Sequence, residues 1–329
     1  MAIFWILVFI ASMAALVKGA DWFLKSAEKI GLAAGLSPFI IGVTIVGIGT
    51  SFPELISSLA ATFKDATEIV AANVVGSNIA NILLIVGFAA VLGRRLVVTK
   101  NLIDLDLPLL AINTVIFLGT AWDGVINFSE AILLLLAYGI YLLYTIFHKE
   151  EGEHELHGKK LPSRRERRAH LIDKELIEKP KLVVMDFIWL GFGLLGLVIG
   201  AKYLIDAVIE LSKLLNIATG VITISAVALG TSLPELIVSA KAALQKKSEV
   251  AIGNIFGSNV FNALIVIGIP ALIKDIRFDE PTFLLGLPTM IAATLLFVIS
   301  GISRRIHLWE GSFYLLLYAL FVAKLFNLF

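Results

Sequence analysis

A chain of 329 residues that is 58% hydrophobic and only 16% charged has too little polar surface to cover a soluble core of its size. A net charge of +1 argues against a nucleic-acid partner, and the absence of cysteine excludes disulfides and leaves the redox compartment unread. Most of this chain must be solvated by lipid.

Apolar runs long enough to cross about 30 Å of hydrocarbon recur from end to end. In chain order they fall at 2–24, 37–63, 68–93, 103–121 and 128–147, then at 183–210, 218–244, 249–273, 281–302 and 308–328. The first has no basic leader and no small-residue cleavage site before Lys18, so it reads as a retained span. Asp21 in that span, and Asp104 and Asp106 at the start of the fourth, read as helix-end or interfacial acids. Between the fifth and sixth spans lies a polar stretch with ten Lys and Arg and almost as many acids. It reads as a solvated linker, with His148, His154 and His157 the first candidates for any regulatory role. The chain therefore divides into a first five-span unit (1–147), a loop (148–182) and a second five-span unit (183–329).

The two units are copies. An ungapped shift of 181 residues lays Thr50-Ser-Phe-Pro-Glu-Leu-Ile-Ser-Ser58 on Thr231-Ser-Leu-Pro-Glu-Leu-Ile-Val-Ser239, with seven of nine residues identical. The same shift lays Asn73-Val-Val-Gly-Ser-Asn-Ile-Ala-Asn81 on Asn254-Ile-Phe-Gly-Ser-Asn-Val-Phe-Asn262, and Gly19-Ala-Asp-Trp on Gly200-Ala-Lys-Tyr. With five spans per copy, the second enters from the opposite side, which predicts inverted repeats of the kind common in secondary transporters. Basic residues set the orientation. With the N-terminus outside, inner segments collect 20 of the 27 Lys and Arg. Without the central loop the bias is still ten to four. The expectation is a multi-pass protein of the cell membrane, with the central loop cytoplasmic and both termini outside.

Each copy of the Gly-Thr-Ser-x-Pro-Glu motif lies inside a span. Proline removes a backbone donor and disfavours helix at the residue before it, so Pro53 and Pro234 predict broken helices with freed carbonyls. Such carbonyls persist in a membrane only when buried in protein or lining a wet cavity, where they suit a hard cation. Thr50, Ser51 and Glu54 add oxygens to one face, and Thr231, Ser232 and Glu235 repeat the set. In the following span Ser77 and Asn81, like Ser258 and Asn262, stand four residues apart on one face. Gly76 and Gly257 permit close helix approach or a second break. Asn73, Asn78, Asn254 and Asn259 read as packing residues. A carboxylate at mid-span costs about 2.5–3.5 kcal/mol even on the lenient insertion scale, and no basic residue lies at comparable depth. Glu54 and Glu235 are therefore functional. The donor set is oxygen alone, which favours Ca²⁺ or Na⁺ over zinc, copper or iron.

Other classes fit poorly. An intramembrane hydrolase built on Ser51 or Ser232 needs a base, and His148, His154, His157, His170 and His307 all lie in loops or at a span end. A channel normally reaches pore symmetry by oligomerisation, whereas an internal inverted repeat supplies alternating access within one chain. The expectation is a non-enzymatic secondary transporter without a resident cofactor, working as a monomer.

These motifs resemble the cation/calcium exchanger superfamily, in its sodium/calcium exchanger branch, across nearly the whole chain outside the central loop. The resemblance implies an all-α membrane fold of ten helices in two inverted five-helix repeats, with helices 2, 3, 7 and 8 broken to form the core. It implies Glu54 and Glu235 as central Ca²⁺ ligands, assisted by the carbonyls of Thr50 and Thr231. Ser51, Ser77, Ser232 and Ser258, with the carbonyls of Gly47 and Ala228, would line flanking Na⁺ sites, and Asn81 and Asn262 would complete the centre. The first and sixth spans would slide to alternate access. Exchangers of this branch usually place an aspartate at one of the two positions held here by Asn81 and Asn262. Two glutamates alone carry at most −2, which matches one Ca²⁺, two Na⁺ or two H⁺, whereas three Na⁺ would leave +1 buried. Na⁺ is the expected counter-ion and H⁺ the alternative.

Overall fold

The computed structural model describes residues 2–97, 107–147, 180–214, 232–326 and 328. Among these, eight helices are long and apolar enough to cross a membrane, and Leu107–Thr120 is a shorter apolar helix. The first part of the expected seventh span, Asp104 and Asp106, and the histidines of the central loop lie outside the described residues.

The first span is one long helix, α1 (Ala2–Ala33). The second is segmented into α2 (Pro38–Ile41), a π-helical stretch (Gly42–Val46), α3 (Gly47–Thr50) and α4 (Phe52–Phe63). The third runs through α5 (Thr67–Ile79), a π stretch (Ala80–Val86) and α6 (Gly87–Gly93). After β1 (Arg95–Val97) come α7 (Leu107–Thr120), β2 (Val125–Ile126) and α8 (Phe128–Phe147). The second unit is described as α9 (Val184–Leu214), α10 (Leu233–Leu244) and α11 (Ser248–Phe261), the last continued by a π stretch (Asn262–Val266) and α12 (Ile267–Ala271). It closes with β3 (Ile276–Arg277), a π stretch (Thr282–Gly286), α13 (Leu287–Ile302), β4 (Arg305–His307) and α14 (Leu308–Leu325).

The shift found in the sequence also operates on the structure. It carries α4 onto α10, and it carries the αL residue Asp65 (φ 61°) onto Lys246 (φ 61°). It also carries β1 onto β3 and β2 onto β4. The antiparallel ladder β1–β4, with Arg95 opposite His307, is thereby exchanged with the ladder β2–β3, with Ile126 opposite Ile276. Each short ladder joins one unit to the other.

Helices 3 and 8 correct one expectation, because they are not broken. At the start of each π stretch the backbone stays right-handed helical, with φ −62° and ψ −44° at Ala80 and φ −62° and ψ −51° at Asn262. Gly257 serves close approach instead, whereas a Cβ on Gly76 would meet nothing within 4 Å. A Cβ on Gly257 would lie 2.1 Å from the Val43 carbonyl oxygen, so only glycine lets α11 touch the second span there. The loss of regularity falls later, as π turns at Asn81 and Asn262, a feature that often marks functional positions.

Burial places the core. The most apolar window of Ser248–Ala271 is 94% buried, against 22% in α1 and 11% in α14. The motif-bearing helices are thus wrapped by protein, and helices with lipid-facing sides surround them.

Candidate functional site

Ser51 is where the second span breaks. Its φ of −86° and ψ of 4° fall outside the helical basin, ending α3 and starting α4 with Pro53 in the first turn. Ser232 has the same geometry, φ −88° and ψ 5°, ahead of α10 and Pro234. Serine at such a position usually turns its hydroxyl back onto its own helix as a cap. Neither does so here. Ser51 Oγ donates to Glu235 Oε1 at 2.9 Å, and Ser232 Oγ donates to Ser77 Oγ at 3.3 Å. Each hydroxyl crosses to the other repeat.

Four further polar contacts also cross between the repeats. Ser258 Oγ donates to the carbonyl of Gly47 at 3.3 Å. Thr50 Oγ1 donates to Asn254 Oδ1 at 3.1 Å. Asn81 Nδ2 donates to Asn259 Oδ1 at 3.1 Å, and Asn78 Nδ2 to the Asn259 carbonyl at 3.2 Å. Glu54 and Glu235 open α4 and α10, in first turns whose free N–H groups favour negative charge. Thr50, Ser51 and Glu54 are 0% exposed and Glu235 is 1% exposed.

Ten of the twelve expected site residues are therefore described: Gly47, Thr50, Ser51, Glu54, Ser77, Asn81, Ser232, Glu235, Ser258 and Asn262. Ala228 and Thr231 lie outside the described residues. Several site atoms are buried with no hydrogen-bond partner among the described residues: Glu235 Oε2, Asn81 Oδ1 and both amide atoms of Asn262. Polar atoms left so in a dry interior are costly unless the protein uses them. Carboxylates, hydroxyls, amides and a carbonyl together make an oxygen-rich surround fit for a hard cation. Among the described residues no cluster of three or more His, Cys, Asp or Glu occurs, so the fixed charge here comes from the two glutamates.

Asn254, Asn259 and Asn78, expected to serve packing and interhelical hydrogen bonds, do form such bonds. They share a repeated motif with the site residues, but only the partners they meet show that they knit the two repeats together. Asp21 behaves as expected of a surface acid: it is partly exposed and ion-paired with Lys241 of α10.

The sodium/calcium exchanger protein family matches this chain over residues 4–147 and 185–327. The chain belongs to that family. Within it, the chain is 35% identical to the sodium/calcium exchanger MaX1 of Methanosarcina acetivorans, over 97% of this chain and 98% of the relative. It is 31% identical to the inner membrane protein YrbG of Escherichia coli, over 88% and 86% of the respective lengths. The solved sodium-calcium exchanger NCX_Mj superposes with a TM-score of 0.81 at 27% identity, covering 99% of this chain and all of that one. Membership of the exchanger family assigns the described helices to a multi-pass membrane protein.

Proposed function

We propose that the protein is a secondary antiporter that exchanges Ca²⁺ for Na⁺ at one site formed jointly by its two repeats. The observation that carries this reading is the cross-repeat contact of Ser51 with Glu235, which brings the two motifs to one place with both glutamates buried. Glu54 and Glu235 supply the charge that balances Ca²⁺, and the Thr50 and Thr231 carbonyls complete its shell. Ser51, Ser77, Ser232 and Ser258, with the carbonyls of Gly47 and Ala228, line the Na⁺ positions, and Asn81 and Asn262 close the centre.

Two inverted repeats favour alternating access, because exchanging the conformations of the halves turns an outward-open site inward. The α1–α9 pair is the natural moving part, since it lies beside the core and carries none of the site oxygens. The protein works as a monomer in the cell membrane, with its N-terminus outside and the central loop cytoplasmic.

A second reading, H⁺/Ca²⁺ exchange, rests on the two asparagines. With Asn81 and Asn262 both neutral, the glutamates balance two monovalent counter-ions, and two protons satisfy that as well as two Na⁺. Calcium uptake into proteoliposomes separates the readings. A Na⁺ gradient at fixed pH is expected to drive uptake, and a pH gradient without Na⁺ is not. Flux indifferent to the Na⁺ gradient would overturn Na⁺ coupling.

A further inference from the structure

Asn254 is 0% exposed on α11, one turn before Ser258, and its side-chain amide hydrogen-bonds to other helices. Its Oδ1 accepts the Thr50 hydroxyl at 3.1 Å. Its Nδ2 donates to Ser239 Oγ at 2.8 Å and reaches the Glu235 main-chain carbonyl at 3.5 Å. The orientation of the amide follows from these partners, since a carbonyl can only accept and so must face the nitrogen.

These contacts close a ring. Asn254 Oδ1 holds the Thr50 hydroxyl, and Thr50 is joined by a peptide bond to Ser51. Ser51 Oγ then donates to Glu235 Oε1 at 2.9 Å, and the Glu235 carbonyl returns to Asn254 Nδ2. The helix break of one repeat and the carboxylate of the other are thereby held at a fixed separation by one amide side chain. The duplicate keeps part of this pattern, with Asn73 Nδ2 donating to Ser58 Oγ at 3.4 Å where Asn254 donates to Ser239.

We propose that Asn254 is a positioning residue that sets the affinity of the divalent-cation site by tethering Thr50 through its hydroxyl. It touches no ion itself. The inference rests on the cation-exchanger reading above, and it assigns a role to the Thr50 side chain distinct from that of the Thr50 carbonyl. Thr50→Val keeps the carbonyl and the shape but removes the hydroxyl, whereas Thr50→Ser keeps the hydroxyl.

The test is Ca²⁺ binding to purified full-length protein by titration calorimetry, with the half-saturation and maximal rate of Ca²⁺ uptake measured in parallel. Thr50→Val and Asn254→Leu are each expected to weaken Ca²⁺ binding about tenfold, and Asn254→Leu to keep its maximal rate within about threefold of the parent. The double variant is expected to be no weaker than the worse single one, because both remove the same contact. Thr50→Ser, which restores the hydroxyl, is expected to recover most of the affinity lost in Thr50→Val. Additive losses, or normal affinity in folded Thr50→Val, would overturn the proposal. Should Asn254→Leu not fold, the Thr50→Val and Thr50→Ser pair still decides it. Failure of the parent to bind Ca²⁺ would instead remove the cation-exchanger reading, a different outcome from equal binding by parent and variants.

Discussion

The four motif-bearing helical segments and the α1–α9 pair are both duplicated, yet they are held together by different physics. In the core, α4, α5, α10 and α11 meet through buried hydroxyls and amides that cross between repeats, and the π turns fall at the site asparagines. In the pair, α1 and α9 run antiparallel with backbones in contact. A Cβ on Gly19 would lie 2.9 Å from the Gly193 carbonyl oxygen, and one on Gly200 would lie 3.0 Å from the Ser12 carbonyl oxygen. The 181-residue shift turns one of these contacts into the other. Small residues let apolar helices approach where lipid provides no hydrophobic drive. Mutually tilted Trp22 and Trp189 rings 5.0 Å apart and a Lys29–Asp186 ion pair at 2.8 Å extend the contact toward one end.

The pair meets the core differently again. Asp21–Lys241 and Glu28–Lys247 are ion pairs between partly exposed side chains, and Lys241 also donates to the Val17 carbonyl at 2.7 Å. Exposed ion pairs are weak and exchangeable, whereas buried amide networks are not. The contrast is between a buried polar centre and a flanking pair joined to it by apolar packing and partly exposed ion pairs.

The sharpest way to break this contrast is at the carboxylates. Glu54→Gln and Glu235→Gln are each expected to reduce Ca²⁺ uptake into proteoliposomes to background while the protein stays folded, because each removes half of the charge that balances the ion. Residual exchange above a few per cent in either would mean the two repeats do not share one site. Next in size is Gly257→Ala, whose Cβ would fall 2.1 Å from the Val43 carbonyl oxygen and 2.8 Å from its carbon. Both are backbone atoms inside the core, so a loss of roughly 3 kcal/mol or more is expected in denaturant-monitored stability.

Gly193→Ala probes the other region. Its Cβ would lie 2.4 Å from the Phe23 nitrogen, but α9 has a lipid-facing side and can move outward. The expected loss is roughly 1–2 kcal/mol, with Ca²⁺ affinity within about twofold of the parent. A loss equal to that of Gly257→Ala, or a collapse of affinity, would show that the pair is part of the core. The smallest effect is expected from Lys247→Gln, about 0–1 kcal/mol of stability. Its informative readout is the rate of exchange, which should change more than ion affinity if the Glu28–Lys247 contact is made in only one of two access states. Equal changes in both would remove that role.

Much of this was legible in the sequence because the repeat is long and its residues are chemically distinctive. Pro53 and Pro234 announced the breaks; the second span breaks at Ser51, and α10 starts after Ser232, whose backbone has the same geometry. Glu54 and Glu235 stood out because a carboxylate in lipid is expensive enough to demand a reason. The asparagines were separable by helix face but not by partner. Asn73, Asn78, Asn81, Asn254, Asn259 and Asn262 share one residue type and one motif, and spacing along a helix says which face a side chain occupies but not what stands opposite. The breaks expected in helices 3 and 8 came from the same gap. Gly76 and Gly257 allow a break or a close approach, and the Val43 carbonyl shows a close approach at Gly257, while a Cβ on Gly76 would meet open space.

By itself, then, the sequence determined the spans, their duplication and the oxygen-bearing residues, since these depend on composition, covalent limits and the cost of charge in lipid. The tertiary structure alone decided which hydroxyl serves which carboxylate, that Asn254 ties Thr50 to the Glu235 turn, and that helices 3 and 8 widen into π turns without breaking. Those facts depend on the relative height and distance of neighbouring helices. That geometry is set when the two repeats pack against each other, and neither repeat specifies it alone.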